Sequence, residues 1–169
     1  MRIRLVVLSV LTFAFLVGHA APASAQNDTP PNALSFTGMF KNFSGDGDFY
    51  KGFGVDYRRD VHQMGQICVR IVGQFEYYTD DGDHVTAYLG GVQFAAHPDK
   101  RISPFAEVTF GAIHWGTTDP LLQWDLGADY RIKDKSPWAI RGTLGMATAF
   151  GDSDTFNALR ATIGVTRMF

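Results

Sequence analysis

Three shortages narrow this sequence before any motif is read. Cysteine is almost missing: Cys68 is the only one, so no intrachain disulfide can staple the fold. Positive charge is not in excess, with Lys+Arg 15 against Asp+Glu 17, so no basic face argues for nucleic acid. After the first 25 residues there is no apolar run of the roughly 20 residues that a membrane-crossing helix needs. What is abundant is aromatic side chains (14%) and glycine (18 residues), the composition that a small transmembrane β-barrel requires.

The N-terminus carries Arg2 and Arg4, an apolar run from Leu5 to Val17 and the small residues Ala23-Ser24-Ala25, the three parts of a secretory signal. Residues 1–25 are therefore expected to be cleaved, leaving 26–169 as one domain. No cysteine stands directly after the apolar run or at the cleavage site, so no lipoprotein anchor is expected. At the other end, Leu159, Ala161, Ile163 and Val165 alternate with Arg160, Thr162, Gly164 and Thr166, and the chain ends on Phe169. Side chains in a strand alternate between faces, so this is one strand with an apolar face and a polar one.

The same reading gives eight strands: Ala33 to Lys41, Tyr50 to Arg59, Gly65 to Tyr78, His84 to Ala96, Ile102 to Trp115, Leu121 to Ile132, Trp138 to Phe150 and Phe156 to Phe169. Sidedness is clearest in the third, where Ile67, Val69, Ile71, Phe75 and Tyr77 alternate with Gln66, Cys68, Arg70, Gln74 and Glu76. The sixth repeats the pattern, with Leu122, Trp124, Leu126, Ala128 and Tyr130 against Gln123, Asp125, Asp129 and Arg131. Connections after the even strands lean basic (Arg59–Met64, His97–Arg101, Lys133–Pro137). Those after the odd strands are short and rich in Asp and Gly (Ser44–Asp48, Thr79–Asp83, Gly116–Pro120, Gly151–Asp154). The expected fold is an all-β, eight-stranded antiparallel up-and-down transmembrane barrel. Its basic turns would lie in the periplasm and its acidic loops outside.

On the signal, the alternation and the segments Ile163–Phe169 and Leu126–Arg131, the chain resembles the small eight-stranded outer-membrane barrels, of which the transmembrane domain of outer-membrane protein A is the best known. Met168 departs from the pattern, standing where a polar or basic residue usually precedes the terminal Phe. The resemblance implies the outer membrane of a Gram-negative bacterium. It also implies periplasmic chaperones and the barrel-assembly machinery as partners during biogenesis, and outer-membrane lipids and lipopolysaccharide afterwards. Ile163, Val165 and Phe169 would then form the assembly signal.

Parity places Asp56, Arg58, Arg70, Glu76, Glu107, Asp125, Asp129, Arg131, Arg141 and Arg160 on the inner face. Charges in so narrow a lumen must be paired, because an unpaired buried charge is very costly. Counting from the nearest turns puts Arg70, Glu107, Asp129 and Arg141 in one layer and Glu76, Asp125 and Arg160 in a second, nearer the loops. A closed lumen follows, since eight strands leave room only for side chains.

In the loops, Asp80, Asp81 and Asp83 supply oxygen ligands of the kind Ca²⁺ takes, but lack the twelve-residue calcium-loop spacing, so solvated turns and no cofactor are expected. Two aromatic girdles are expected: Phe40, Phe49, Tyr50, Tyr77, Trp115, Trp124 and Phe150 at the loop edge; Tyr57, Phe94, Tyr130, Trp138 and Phe169 at the other. An enzyme needs a nucleophile, a base and an orienting group in reach. His114 is the one histidine near a rim with hydroxyl neighbours, and Glu107 shares its strand. The His-x-Ser arrangement of outer-membrane lipid A deacylases is absent, because Gly116 stands where the Ser would be. The reading is a non-enzymatic barrel with a structural role in envelope integrity. A narrow pore for small solutes and a soluble periplasmic ligand-binding barrel are the alternatives.

Overall fold

The structure is a computed structural model that describes residues 32–43, 49–80, 83–134, 136–151 and 155–169. The signal segment 1–25 lies outside the described residues, as do Asp46, Asp48, Asp81, Asp152 and Asp154 and the side chains of Phe49 and Asp80. Eight strands follow one another: β1 (Asn32–Phe43), β2 (Phe49–Met64), β3 (Ile67–Asp80), β4 (Asp83–Ala96), β5 (Ile102–Trp115), β6 (Thr117–Arg131), β7 (Trp138–Phe150) and β8 (Thr155–Met168). Each pairs antiparallel with the next, and β8 pairs with β1, so the sheet closes as an up-and-down barrel.

The register sets its dimensions. Paired residues lead around the wall from Ala33 through Arg58, Val72, Gly91, Thr109, Gln123, Ala147 and Ala158 back to β1 at Phe43, ten residues beyond the start. With about 3.3 Å rise per residue and about 4.8 Å between strands, that stagger corresponds to a tilt of about 40° and a radius of about 8 Å. Side chains from opposite walls therefore meet across the lumen.

Two connections are tighter than the sequence suggests. Residues 117–120, expected in a loop, pair with β5 as the start of β6, and Gly116 alone turns the chain at φ +70. Thr117 and Thr118 are β-branched and suit a strand. Pro120 pairs only with Ala112 of β5; the ladder to β7 begins at Leu121, so the missing N–H interrupts no pairing. Likewise Arg59–Met64, expected as a turn, continues β2 through a bulge between Asp60 and His62. The reversal falls instead at Gly65-Gln66, with Gly65 at φ +60. Both positive φ values occupy the left-handed region that glycine enters at no steric cost.

Alternation sorts the two faces. Outside stands an apolar belt that includes Phe36, Phe110, Leu126, Leu144, Leu159 and Ile163, each more than half exposed. Phe36, Phe53 and Tyr77 stack along it with ring centres 5.9 and 5.4 Å apart. An exposed apolar surface that encircles the molecule is far beyond what soluble monomers carry. The lumen holds the charges, but its loop-side end is apolar: Tyr50, Val85, Ile113, Leu121 and Ala149 are buried there in one cluster with Tyr78. Tyr50 thus leaves the girdle to which the sequence assigned it. It faces inward and meets Trp115 edge-on at 5.5 Å. Trp124 stands midway along β6, not at the loop edge.

Candidate functional site

The interior of the barrel gathers the chemically able side chains. Strand parity points them inward, and the stagger of ten decides which of them meet.

Nearer the turns, Arg141 on β7 donates to Glu107 Oε2 at 3.0 Å and to Asp129, its partner across the β6–β7 ladder, at 3.2 Å. Its guanidinium lies 3.9 Å over the Phe105 ring. Arg58 reaches across the lumen to Asp129 Oδ2 at 2.9 Å, pairs with Asp56 at 3.0 Å and bonds the hydroxyls of Ser35 and Thr166. Arg70 donates to Asp60 at 2.7 Å and to Gln93 at 3.1 Å, with Asp129 3.9 Å away. Gln74 and Gln93 donate to the two oxygens of Glu107. Asp129, itself buried, therefore holds three guanidiniums together.

Toward the loops, Arg160 on β8 bonds Glu76 Oε1 at 2.7 Å and Asp125 Oδ2. Glu76 also accepts from Tyr78 at 2.6 Å and from Gln123 at 3.1 Å. Lys41 donates to Gln123 at 3.2 Å, stands 3.9 Å from Glu76, and lies 4.6 Å over the Tyr78 ring. Between the clusters remains a cavity of about 10 Å³, lined in part by Gln74, Glu107, Asp125 and Thr143. That is room for about one water molecule. Gly145 shows how tight the wall is: a Cβ there would collide with the Asp125 carboxylate and the Trp124 carbonyl.

All seven lumen residues singled out from sequence, Arg70, Glu76, Glu107, Asp125, Asp129, Arg141 and Arg160, are buried inside the barrel. Sequence reasoning missed Lys41, Asp60, Gln93 and Tyr78, while alternation had put Gln74 and Gln123 on the polar face. Lys41 shares the parity of Ser35, Thr37 and Met39, which was signal enough; Asp60 was hidden by assigning it to a turn. Of the terminal-strand residues, Ile163, Val165 and Phe169 stand exposed on the outer face, while Met168 is buried with Ala33 and Ala139. Asp83 is exposed at the start of β4.

The rim histidine is arranged otherwise than its sequence neighbours suggested. His114 faces outward and its Nδ1 bonds Thr118 Oγ1 at 3.0 Å, whereas Glu107 points into the lumen. The two sit on opposite faces of β5, so Glu107 cannot orient His114. The paired side chains can lock the lumen shut.

A closed antiparallel barrel of eight strands with an apolar outer wall and a charge-filled interior defines the class: the fold is that of the small eight-stranded outer-membrane barrels. Among solved structures, the outer membrane enzyme PagL aligns with a TM-score of 0.61 at 9% identity, over 80% of this chain and 99% of that one. Neisserial surface protein A aligns with a TM-score of 0.54 at 11% identity, over 82% of this chain and 97% of that one. No protein-family model and no curated protein matches the sequence.

Proposed function

We propose that the protein is an integral outer-membrane barrel that contributes to envelope integrity and conducts no solute. The observation that carries this reading is the two-layer ion-pair plug, with a cavity of about 10 Å³ between its layers, inside a wall whose outside is apolar. The likeness to an outer membrane enzyme supports the membrane setting through the fold. The placement of Glu107 inside and His114 outside favours a non-catalytic role. Outer-membrane lipids and lipopolysaccharide are its neighbours in this reading, with the Gly116 turn and the other short loops facing outward. Purified protein added to planar bilayers is expected to give no discrete conductance steps. Reproducible steps from the unmodified protein would replace this reading with the narrow pore.

The assembly signal belongs to the same proposal. Ile163 and Val165 on the outer face of β8, and Phe169 just after it, present one apolar stripe on the strand that closes the barrel against β1. Phe169 also ties the ends together, its N–H donating to the Asn32 carbonyl at 2.9 Å. Phe169→Asp is expected to leave export intact and to shift the protein from the outer-membrane fraction to the periplasm. Fractionation followed by immunoblotting reads the result; normal assembly of the variant would contradict this role.

A further inference from the structure

The turn-side rim carries two outward guanidiniums that the lumen does not use. Arg101, just before β5, lies 5.0 Å over the Tyr130 ring of β6. Arg167, near the end of β8, lies 5.7 Å over Trp138, the first residue of β7. Both rings are exposed on the outer wall beside apolar neighbours: Ile102 and Ile140 flank Tyr130 in the ladder, and Ile132 donates its N–H to the Trp138 carbonyl at 3.2 Å. Among the described residues, neither arginine has a carboxylate within 4.0 Å. The interior arginines differ: Arg58, Arg70, Arg141 and Arg160 all bond carboxylates, and Arg131 donates to the Pro98 carbonyl at 2.6 Å. Next to Arg101 an open depression is lined by Lys100, Ile102 and Arg131 and by two carboxylates, Asp99 and Asp134.

A guanidinium laid over an interfacial ring keeps its stem against the apolar wall and its N–H fork at the edge of the hydrocarbon. That fork matches two oxygens of a phosphate. We propose that this rim, along β5 to β8, binds the headgroups of anionic phospholipids. Arg101 and Arg167 hold the phosphate groups, and Tyr130 and Trp138 hold the guanidiniums in place. Ile102, exposed beside Arg101, and Ile132, exposed beside Trp138, offer an acyl chain an apolar wall that a bare anion does not use. The inference rests on the membrane reading above and adds a ligand class to it.

The test uses the mature chain with Trp115→Phe and Trp124→Phe, so that Trp138 is the only tryptophan. It is reconstituted in phosphatidylcholine vesicles containing either brominated phosphatidylcholine or brominated phosphatidylglycerol at one mole fraction. The brominated phosphatidylglycerol is expected to quench Trp138 about twofold more strongly at low salt, with the difference shrinking at high salt. Arg101→Gln with Arg167→Gln is expected to abolish the difference. Equal quenching by the two lipids, or a preference that survives the double substitution, would overturn the proposal. Equal quenching by the two lipids, alongside binding of inorganic phosphate that Arg101→Gln with Arg167→Gln removes, would make free phosphate the ligand and likewise overturn it. A gel-mobility shift on boiling each vesicle sample reports insertion separately. A missing shift therefore counts against the membrane reading, and a shift without lipid preference counts against this rim alone.

Discussion

Arg160→Ala is expected to lower the stability of the folded barrel by about 3–5 kcal/mol, a large part of the 5–15 kcal/mol typical of a domain. The guanidinium bridges Glu76 and Asp125, both buried, and its removal takes away the cation that bonds both; Lys41, 3.9 Å from Glu76, and Arg141, farther from Asp125, replace only part of it. Coulomb attraction between buried charges roughly offsets their desolvation, so deleting one partner exposes the whole desolvation cost of the others. Urea unfolding in lipid vesicles, followed by tryptophan fluorescence, measures the loss. Replacing the whole cluster at once, with Lys41→Met, Glu76→Gln, Asp125→Asn and Arg160→Met, is expected to recover most of it, because no uncompensated charge remains. An Arg160→Ala barrel as stable as the parent would mean that these charges are not held as an enclosed network.

The second large effect comes from the opposite face. Leu144 stands 66% exposed at the middle of β7, opposite Leu126, which is also exposed. In a barrel seated in a bilayer, Leu144→Arg places a charge near the midplane of the hydrocarbon, at a cost of about 2–4 kcal/mol. On a soluble barrel the same exchange would add a solvated side chain and change stability by about 0.5 kcal/mol or less. The same unfolding assay decides between them. A small effect would return the chain to the periplasmic ligand-binding reading.

The fold was legible because alternation is a local property. In β3 and β6 each side chain's face follows from counting by two, and that count alone placed Arg70, Glu76, Asp125 and Asp129 inside. Depth and partner choice are not local. Arg58 meets Asp129, four strands away by sequence, only because the register climbs ten residues around the wall. That climb depends on turn lengths, and two turns are shorter than their sequences suggest. A chain reversal at Gly116 alone leaves little mark in the sequence, since Thr-Thr-Asp-Pro reads as loop. The bulge at Asp60/His62 broke the alternation that would have carried β2 onward to Met64. The apolar end of the lumen was illegible for another reason. Tyr50, Val85, Ile113 and Leu121 have the right parity for the interior but the polarity expected outside, and only the three-dimensional stack shows that they cap the charged layers.

The central claim is a closed barrel seated in the outer membrane with its charges locked inside. Its most direct test is the gel mobility of the protein from an outer-membrane fraction, run in denaturing detergent with and without boiling. A network of cross-barrel ion pairs inside a closed, hydrogen-bonded wall should survive the detergent unboiled and migrate apart from the boiled form. Identical mobility of the two samples, with the protein recovered in the soluble fraction, would contradict the account.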